Sequence, residues 1–421
     1  MKLHRWGLLA MVVRSLRQHA VSTVITVGSV ALAAGLVMAV FSINKQAYDA
    51  FTSGHGGFDA VLGARGSQTQ LVLNAVFHLE TSPGNIPWEL YQRVKNDARV
   101  EHAVPYALGD NYRGYRIVGT TLERFTVPMQ DGQTPQVYEG GRWFDDTRRE
   151  AVVGSFVAQQ TGLSVGSVFQ PYHGLVFNED ARHEEEYVVV GIMKPTNTPM
   201  DRVIYIPLEG IFRMEGHVLR GSGEQFTPQA GQAIPDEHKE VSAVLLTLRT
   251  PAAGMLLNQR INFQGNVATL AWPIGRVMAD LFDKIGWMHH VLTMVAYLIV
   301  VVSIGAIVAA VYNTIHERRR DIAILRALGA RRRFIFSAIV LESSLIALAG
   351  SLIGYAVYSA IVGAAAWVVW HQVGVVLNIT SPHPALWLTP VAMVLLGALA
   401  GLIPALKAYQ TEVASHLTPI S

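Results

Sequence analysis

The sequence predicts an α-helical membrane protein with four transmembrane helices and a large extracytoplasmic α+β domain between the first and second. Three observations carry this. Four long stretches hold almost no charge. Arginine and lysine gather at one side of those stretches. The roughly 240 residues between the first two alternate strand-like and helix-like patterns. Of 421 residues, 51% are hydrophobic and only 15% charged, against about 25% charged in ordinary soluble domains. Net charge is +2, which gives no reason to expect a nucleic-acid partner. The chain has no cysteine, which excludes a disulfide framework and thiolate metal sites.

Ala20 to Asn44 carries no charge, nor do Val291 to Ile315 and Pro384 to Leu406, while Phe334 to Trp370 carries only Glu342. Each exceeds the roughly 20 apolar residues that a helix needs to cross a bilayer. The first run is too long for the apolar core of a signal peptide and reads as a retained anchor. Lys2, Arg5, Arg14 and Arg17 precede it without an acid. Seven arginines against Glu317 and Asp321 lie between the second and third runs, and Lys407 follows the fourth. Positive charge favours the cytoplasmic side. The expected layout is therefore a cytoplasmic segment at 1–19, spans at 20–44, 288–315, 334–366 and 384–406, and an extracytoplasmic domain at 45–285. A cytoplasmic loop at 316–333 and a cytoplasmic tail at 407–421 complete it. Both termini face the cytoplasm, in a cell (inner) membrane. Residues 3–19 mix apolar and basic positions at helical spacing, so Trp6, Leu9 and Val13 are expected at the lipid interface or on a simple extension of the first span.

Within 45–285, "YRIVGTT", "EAVVG", "EYVVVGIM", "RVIYIPL" and "VSAVLLTLRT" read as strands, being short and rich in β-branched and aromatic residues. "GSFVAQQTGL" reads as a helix ending near Gly162, "NIPWELYQRV" as a helix with Asn85 near its N-cap, and a further helix starts near Pro251. Residues 221–236 are rich in glycine and proline and read as a loop. Leu71, Leu73, Val76 and Phe77 suit a core helix better than an exposed lipid grip.

The loop "HERRRDIAILRALGARRR" is the most informative stretch. Ile322, Leu325 and Leu328 recur every three residues and form a narrow apolar stripe on a helix that Gly329 can end. Arginines fill the remaining positions. Such a helix suits docking into a groove of a soluble partner with an acidic rim. The plainer reading is a topology signal lying on anionic lipid.

"ERRRDIAILRALGARRRFIF" resembles the signature of MacB/FtsX-type (type VII) ABC transporter permeases. "GRWFDDTRREAVVGSFVAQQTGLSVGSVF" and "GLIPALKAYQTEVASHL" are similar to other parts of the same family. The resemblance covers nearly the whole chain. It implies a MacB-like periplasmic core, a cytoplasmic ATPase that meets the second loop, and ATP-driven movement transmitted to the outer domain in place of a substrate channel. By it, Glu317, Arg320, Ile322, Leu325, Arg326, Leu328 and Gly329 form the ATPase contact. Glu342 fits an acidic position in the third span, where a carboxylate is costly unless paired; an arginine near the interface is a candidate partner. Four spans are few for such a machine, so a dimer with a second copy or a paralogue is expected, with Ala349, Gly350 and Gly354 as a small-residue contact face. Export, or extraction of lipoprotein or peptide, is the expected work. The alternatives are an FtsX-like regulator that activates an extracytoplasmic hydrolase, and a zinc-linked transport or sensing component. An extracytoplasmic protein or lipoprotein is a further expected partner.

No Gly-Lys pair occurs in the chain, so it lacks the phosphate-cradling G-x-x-x-x-G-K-[ST] loop. ATP and Mg belong to a separate subunit, unlike relatives with a fused ATPase domain, and no cofactor is expected in this chain. H-E-x-x-H and G-x-S-x-G are also missing, and no enzyme activity is expected. Of 15 histidines, His183, His217 and His238 lie near acids in the outer domain. Imidazole and carboxylate are good zinc ligands, but these three have no strict ligand spacing. They stand as a weak metal candidate.

Overall fold

A computed structural model describes residues 3–175, 177–215, 217–229, 232–317, 331–373 and 376–410. It divides into two compact units.

The first unit holds the apolar helices. Helix α1 (Leu3–Gln18) is followed by α2 (Ala20–Ser53). The inserted domain contains β1 (Ala60–Ala64), α3 (Gln68–Ala75), β2 (Ile86–Pro87), α4 (Trp88–Lys95), β3 (Val100–Tyr112) and β4 (Tyr115–Thr120). It continues with β5 (Glu150–Val153), α5 (Ser155–Thr161), β6 (Val168–Phe169), β7 (Tyr172–His173), β8 (Tyr187–Ile192), β9 (Ile204–Pro207) and α6 (Leu208–Phe212). It closes with β10 (Glu240–Val241), β11 (Ala243–Leu248), α7 (Pro251–Asn258) and β12 (Ala268–Ala271). Helices α8 (Ile274–Glu317), α9 (Arg332–Val373) and α10 (Pro384–Gln410) follow. Helices α2, α8, α9 and α10 are each long and apolar enough to cross a membrane, which makes this a multi-pass membrane protein. Each is longer than the span expected from the sequence.

Small residues let α2 and α9 approach closely. A Cβ on Gly350 would lie 2.5 Å from Val30 Cβ, and one on Gly354 would lie 3.0 Å from Ala34 Cβ. Two of the three positions expected at a dimer contact are therefore used inside the chain, against its own first span. Ala349 is exposed. A small-residue stripe serves close helix packing within one chain as well as between two. Glu342 is buried and accepts a 2.7 Å hydrogen bond from Ser15 Oγ on α1. A hydroxyl of the N-terminal helix thus supplies a polar partner that sequence reasoning did not name. Among the described side chains of α1, Val12 and Ser15 are buried, while Leu9 and Val13 are exposed.

In the second unit one mixed sheet runs β12-β1-β11-β3-β4-β9-β5-β8-β6, and β7 adds to β3. Neighbours are antiparallel except β4 with β9 and β5 with β8. Alternate residues face two separate cores. Leu62, Ile117, Val153 and Leu246 pack on one face with Tyr91 of α4, Ile211 of α6 and Leu257 of α7. Val61, Val118, Val152 and Leu245 pack on the other with Leu71 and Val72 of α3 and Phe125. Burial on both faces explains why these strands read as continuous apolar runs. It also places Leu71, Val76 and Phe77 in the core. Local signals end the helices as expected. Gly162 caps α5 at φ 75°, a conformation that glycine adopts without strain, and Thr250 caps α7 by accepting from Ala253 N–H. Asn85 does not cap α4; Pro87 occupies that position, and Asn85 bonds Glu240 and Ser242 instead.

His78 gives a pH prediction. Burial lowers its pKa to about 3, and the charges of Arg116, Arg124 and Arg202 add to the effect. A histidine depressed in the fold favours folding above its unfolded value near 6.5. That contribution is lost as pH falls from there toward about 3. Its backbone has φ 56°, which asparagine tolerates. His78→Asn should remove about 1–2 kcal/mol of the stability lost between pH 7 and pH 5. Thermal melts of both proteins in detergent at the two pH values test this, and equal pH slopes would reject it.

Candidate metal centre

The bulge in β3 starts the site. Pairing between β3 and β4 shifts between Leu108 and Asp110, so the extra residue at Gly109 re-aims the strand. Beyond the bulge β3 pairs with β7, with Asp110 opposite His173. Asn111 fixes this corner, because its side-chain amide donates to Gly174 O at 2.9 Å while Gly174 N–H donates to Gly109 O at 2.8 Å. A short turn at Glu179–Ala181, capped by the Asn178 side chain, brings the chain back. His183 N–H then donates to Pro171 O at 2.9 Å. His217 follows α6, with its N–H on Met214 O at 3.2 Å.

Four side chains meet here. His217 Nε2 lies 3.1 Å from Asp110 Oδ1, His183 Nε2 3.2 Å, and His173 Nδ1 3.5 Å. One ligand atom from each of the four lies within 4.8 Å of every other. The Asp110 side chain is fully buried and His183 nearly so, whereas His173 is 57% exposed. Burial raises the Asp110 carboxyl, but hydrogen bonds from His173, His183 and His217 outweigh it and hold it well below the usual carboxylate range. The Asp110 contact in turn raises His173. Three imidazoles and one carboxylate are a donor set for divalent transition metals.

Of the three histidines singled out by sequence, the fold brings His183 and His217 together. His238 stands apart: its Nδ1 is 3.0 Å from Ser222 Oγ, and its ring stacks on Phe226 at 4.3 Å. Asp110 and His173 were missed. Neither sits beside another ligand in sequence, and only the bulge and the β3–β7 pairing join them. Arg320, Ile322, Leu325, Arg326, Leu328 and Gly329 lie outside the described residues, and Glu317 ends α8.

Residues 23–253 match the family model for the MacB-like periplasmic core domain, and residues 293–413 that for the FtsX-like permease C-terminal region. No curated protein matches the chain. Among solved structures, the chain is similar to the extracellular domain of the noncanonic ABC-type transporter YknZ from Gram-positive bacteria. Identity is 15% over 50% of this chain and 97% of that one, with a TM-score of 0.28. It is also similar to the periplasmic region of MacB from Actinobacillus actinomycetemcomitans, at 8% identity over 54% of this chain and 94% of that one, with a TM-score of 0.32.

Proposed function

Because the chain belongs to the family of MacB-like, FtsX-type ABC permeases, we propose that it is the membrane subunit of an ATP-driven machine whose ATPase is a separate protein. The observation that carries this reading is the pair of family matches, at 23–253 and 293–413, with the arginine loop inside the second. The chain holds no Walker-type phosphate loop, so nucleotide chemistry falls to the partner. Ile322, Leu325 and Leu328 would seat in a groove of that partner, ringed by Arg320 and Arg326, with Glu317 and Gly329 at the ends of the contact. Closure of the ATPase would move the spans, and the inserted domain would pass the movement to a substrate or a partner protein.

Placing the arginine loop in the cytoplasm puts both termini there and the inserted domain across the membrane. A second permease copy or a paralogue would complete the assembly. Its contact would use exposed apolar faces such as Leu298, Val301 and Val302 of α8, since Gly350 and Gly354 are occupied within the chain.

The test is a mild-detergent pull-down of the tagged full chain, read by mass spectrometry. Recovery of a stoichiometric ATP-binding subunit supports the proposal, and its reproducible absence would overturn it. The FtsX-like alternative, activation of a hydrolase, is distinguished in the same experiment. It requires a cell-wall hydrolase among the co-purified proteins, where export or extraction requires a cargo.

A further inference from the structure

We propose that Asp110, His173, His183 and His217 form a closed four-ligand site for one Zn2+-class divalent ion, which ties β7 and two loops to the end of β3. This stands apart from the ATPase reading and rests on the cluster alone.

A hydrogen-bond network explains the geometry poorly. All three imidazoles aim at the same oxygen, Asp110 Oδ1. The other oxygen, Oδ2, is enclosed without a hydrogen-bond partner. A carboxylate satisfying three donors would spread them over both oxygens, because an unmet buried acceptor costs about 1–3 kcal/mol. Three protonated rings are no better, since the ring centres lie 5.1–5.5 Å apart and like charges that close oppose one another. Four ligand atoms gathered within 4.8 Å of one another can instead close around a shared cation.

The nitrogen-to-oxygen spacing suits such an ion, and with all four ligand atoms within 4.8 Å of one another a small closure completes the set. Zinc bonds to imidazole nitrogen and carboxylate oxygen run about 2.0–2.1 Å, so neighbouring ligand atoms of a tetrahedron lie about 3.3 Å apart. The three nitrogens lie 3.1, 3.2 and 3.5 Å from Oδ1. Three nitrogens and one oxygen favour zinc over magnesium or calcium, which take oxygen ligands. A chain without cysteine offers no thiolate to attract Cu(I). The exposed ring of His173 leaves an entry path on one side.

Four protein ligands leave no open position for water or substrate, which marks a structural or regulatory ion and not a catalytic one. The ligands are also far apart in the chain: His183 and His217 lie 73 and 107 residues from Asp110. Binding therefore cross-links β7, the segment before β8 and the loop after α6. Proteolytic cleavage within 171–185 and 213–239 should slow when the ion is present.

The experiment uses the full chain in detergent, stripped with chelator and reloaded with Zn2+ or Co2+. We expect about one zinc per chain by elemental analysis and, for cobalt, the intense visible bands of tetrahedral coordination. X-ray absorption on the zinc form should fit three imidazoles and one oxygen. Asp110→Asn keeps the shape and should weaken binding at least about tenfold, as should His183→Ala. His238→Ala should bind as wild type. Lack of stoichiometric zinc in the wild type would overturn the site, as would an octahedral cobalt spectrum. So would wild-type affinity in a folded Asp110→Asn. The two wild-type spectra decide the matter even if a ligand variant does not fold.

Discussion

Leu325→Asp should leave the protein inserted and folded but abolish ATPase stimulation and loss-free co-purification of the ATP-binding subunit. The substitution places one carboxylate in the middle of the apolar stripe that the sequence predicts for Ile322, Leu325 and Leu328. Docking would then bury an unpaired charge, at a cost of several kcal/mol. Every 1.4 kcal/mol is tenfold in an equilibrium constant, so binding should fall by at least about a hundredfold. The variant also separates the two readings of this loop. All seven arginines of the 316–333 segment remain, so a loop that served only to orient the chain would keep its function. Leu325→Met, which preserves the apolar stripe, should dock normally. Unchanged stimulated hydrolysis in Leu325→Asp would remove the docking helix from consideration.

The spans were legible because lipid imposes one simple demand, a long uncharged run, and the runs at 20–44, 291–315, 334–370 and 384–406 meet it. Strands such as β5 and β11 were legible because burial on both faces concentrates Val, Ile and Leu within a few residues, and β8 because its β-branched and aromatic residues alternate buried and less buried positions. The centre of the sheet was harder. β3 extends over 13 residues, yet Pro105 and Gly109 interrupt its pattern, and Glu101, His102 and Asp110 make it look like a polar loop. Proline and glycine both mark special positions in strands. Here Gly109 marks the bulge that aims Asp110 at the three histidines. That is why the candidate site was half visible. His183 and His217 stand out beside acids in sequence, whereas Asp110 and His173 become ligands only through strand register. His238 has the same local look and lies elsewhere, so proximity to acids is a weak guide.

The same limit explains the small-residue face on α9, and it yields the largest expected effect on stability. Gly35→Leu should lower the melting temperature of the detergent-purified chain by several degrees or prevent its accumulation. A Cβ at Gly35 would lie 2.6 Å from Val357 Cβ and 2.8 Å from Gly354 O. The backbone oxygen cannot swing aside as a side chain could, so α2 and α9 must separate. Overpacking alone costs about 1–3 kcal/mol, and a forced backbone shift adds to it. Gly28 lies on the same helix with nothing within 4 Å of its would-be Cβ, so Gly28→Leu should be tolerated and controls for helix propensity and hydrophobicity. Gly354→Leu then distinguishes packing within the chain from a dimer contact. Its Cβ would press on Ala34 and on Ala31 O, so it should destabilise the single chain. If it instead changed the assembled mass while leaving the melting temperature alone, the small-residue face would belong to a second copy after all, and the α2–α9 seam would have to be redrawn.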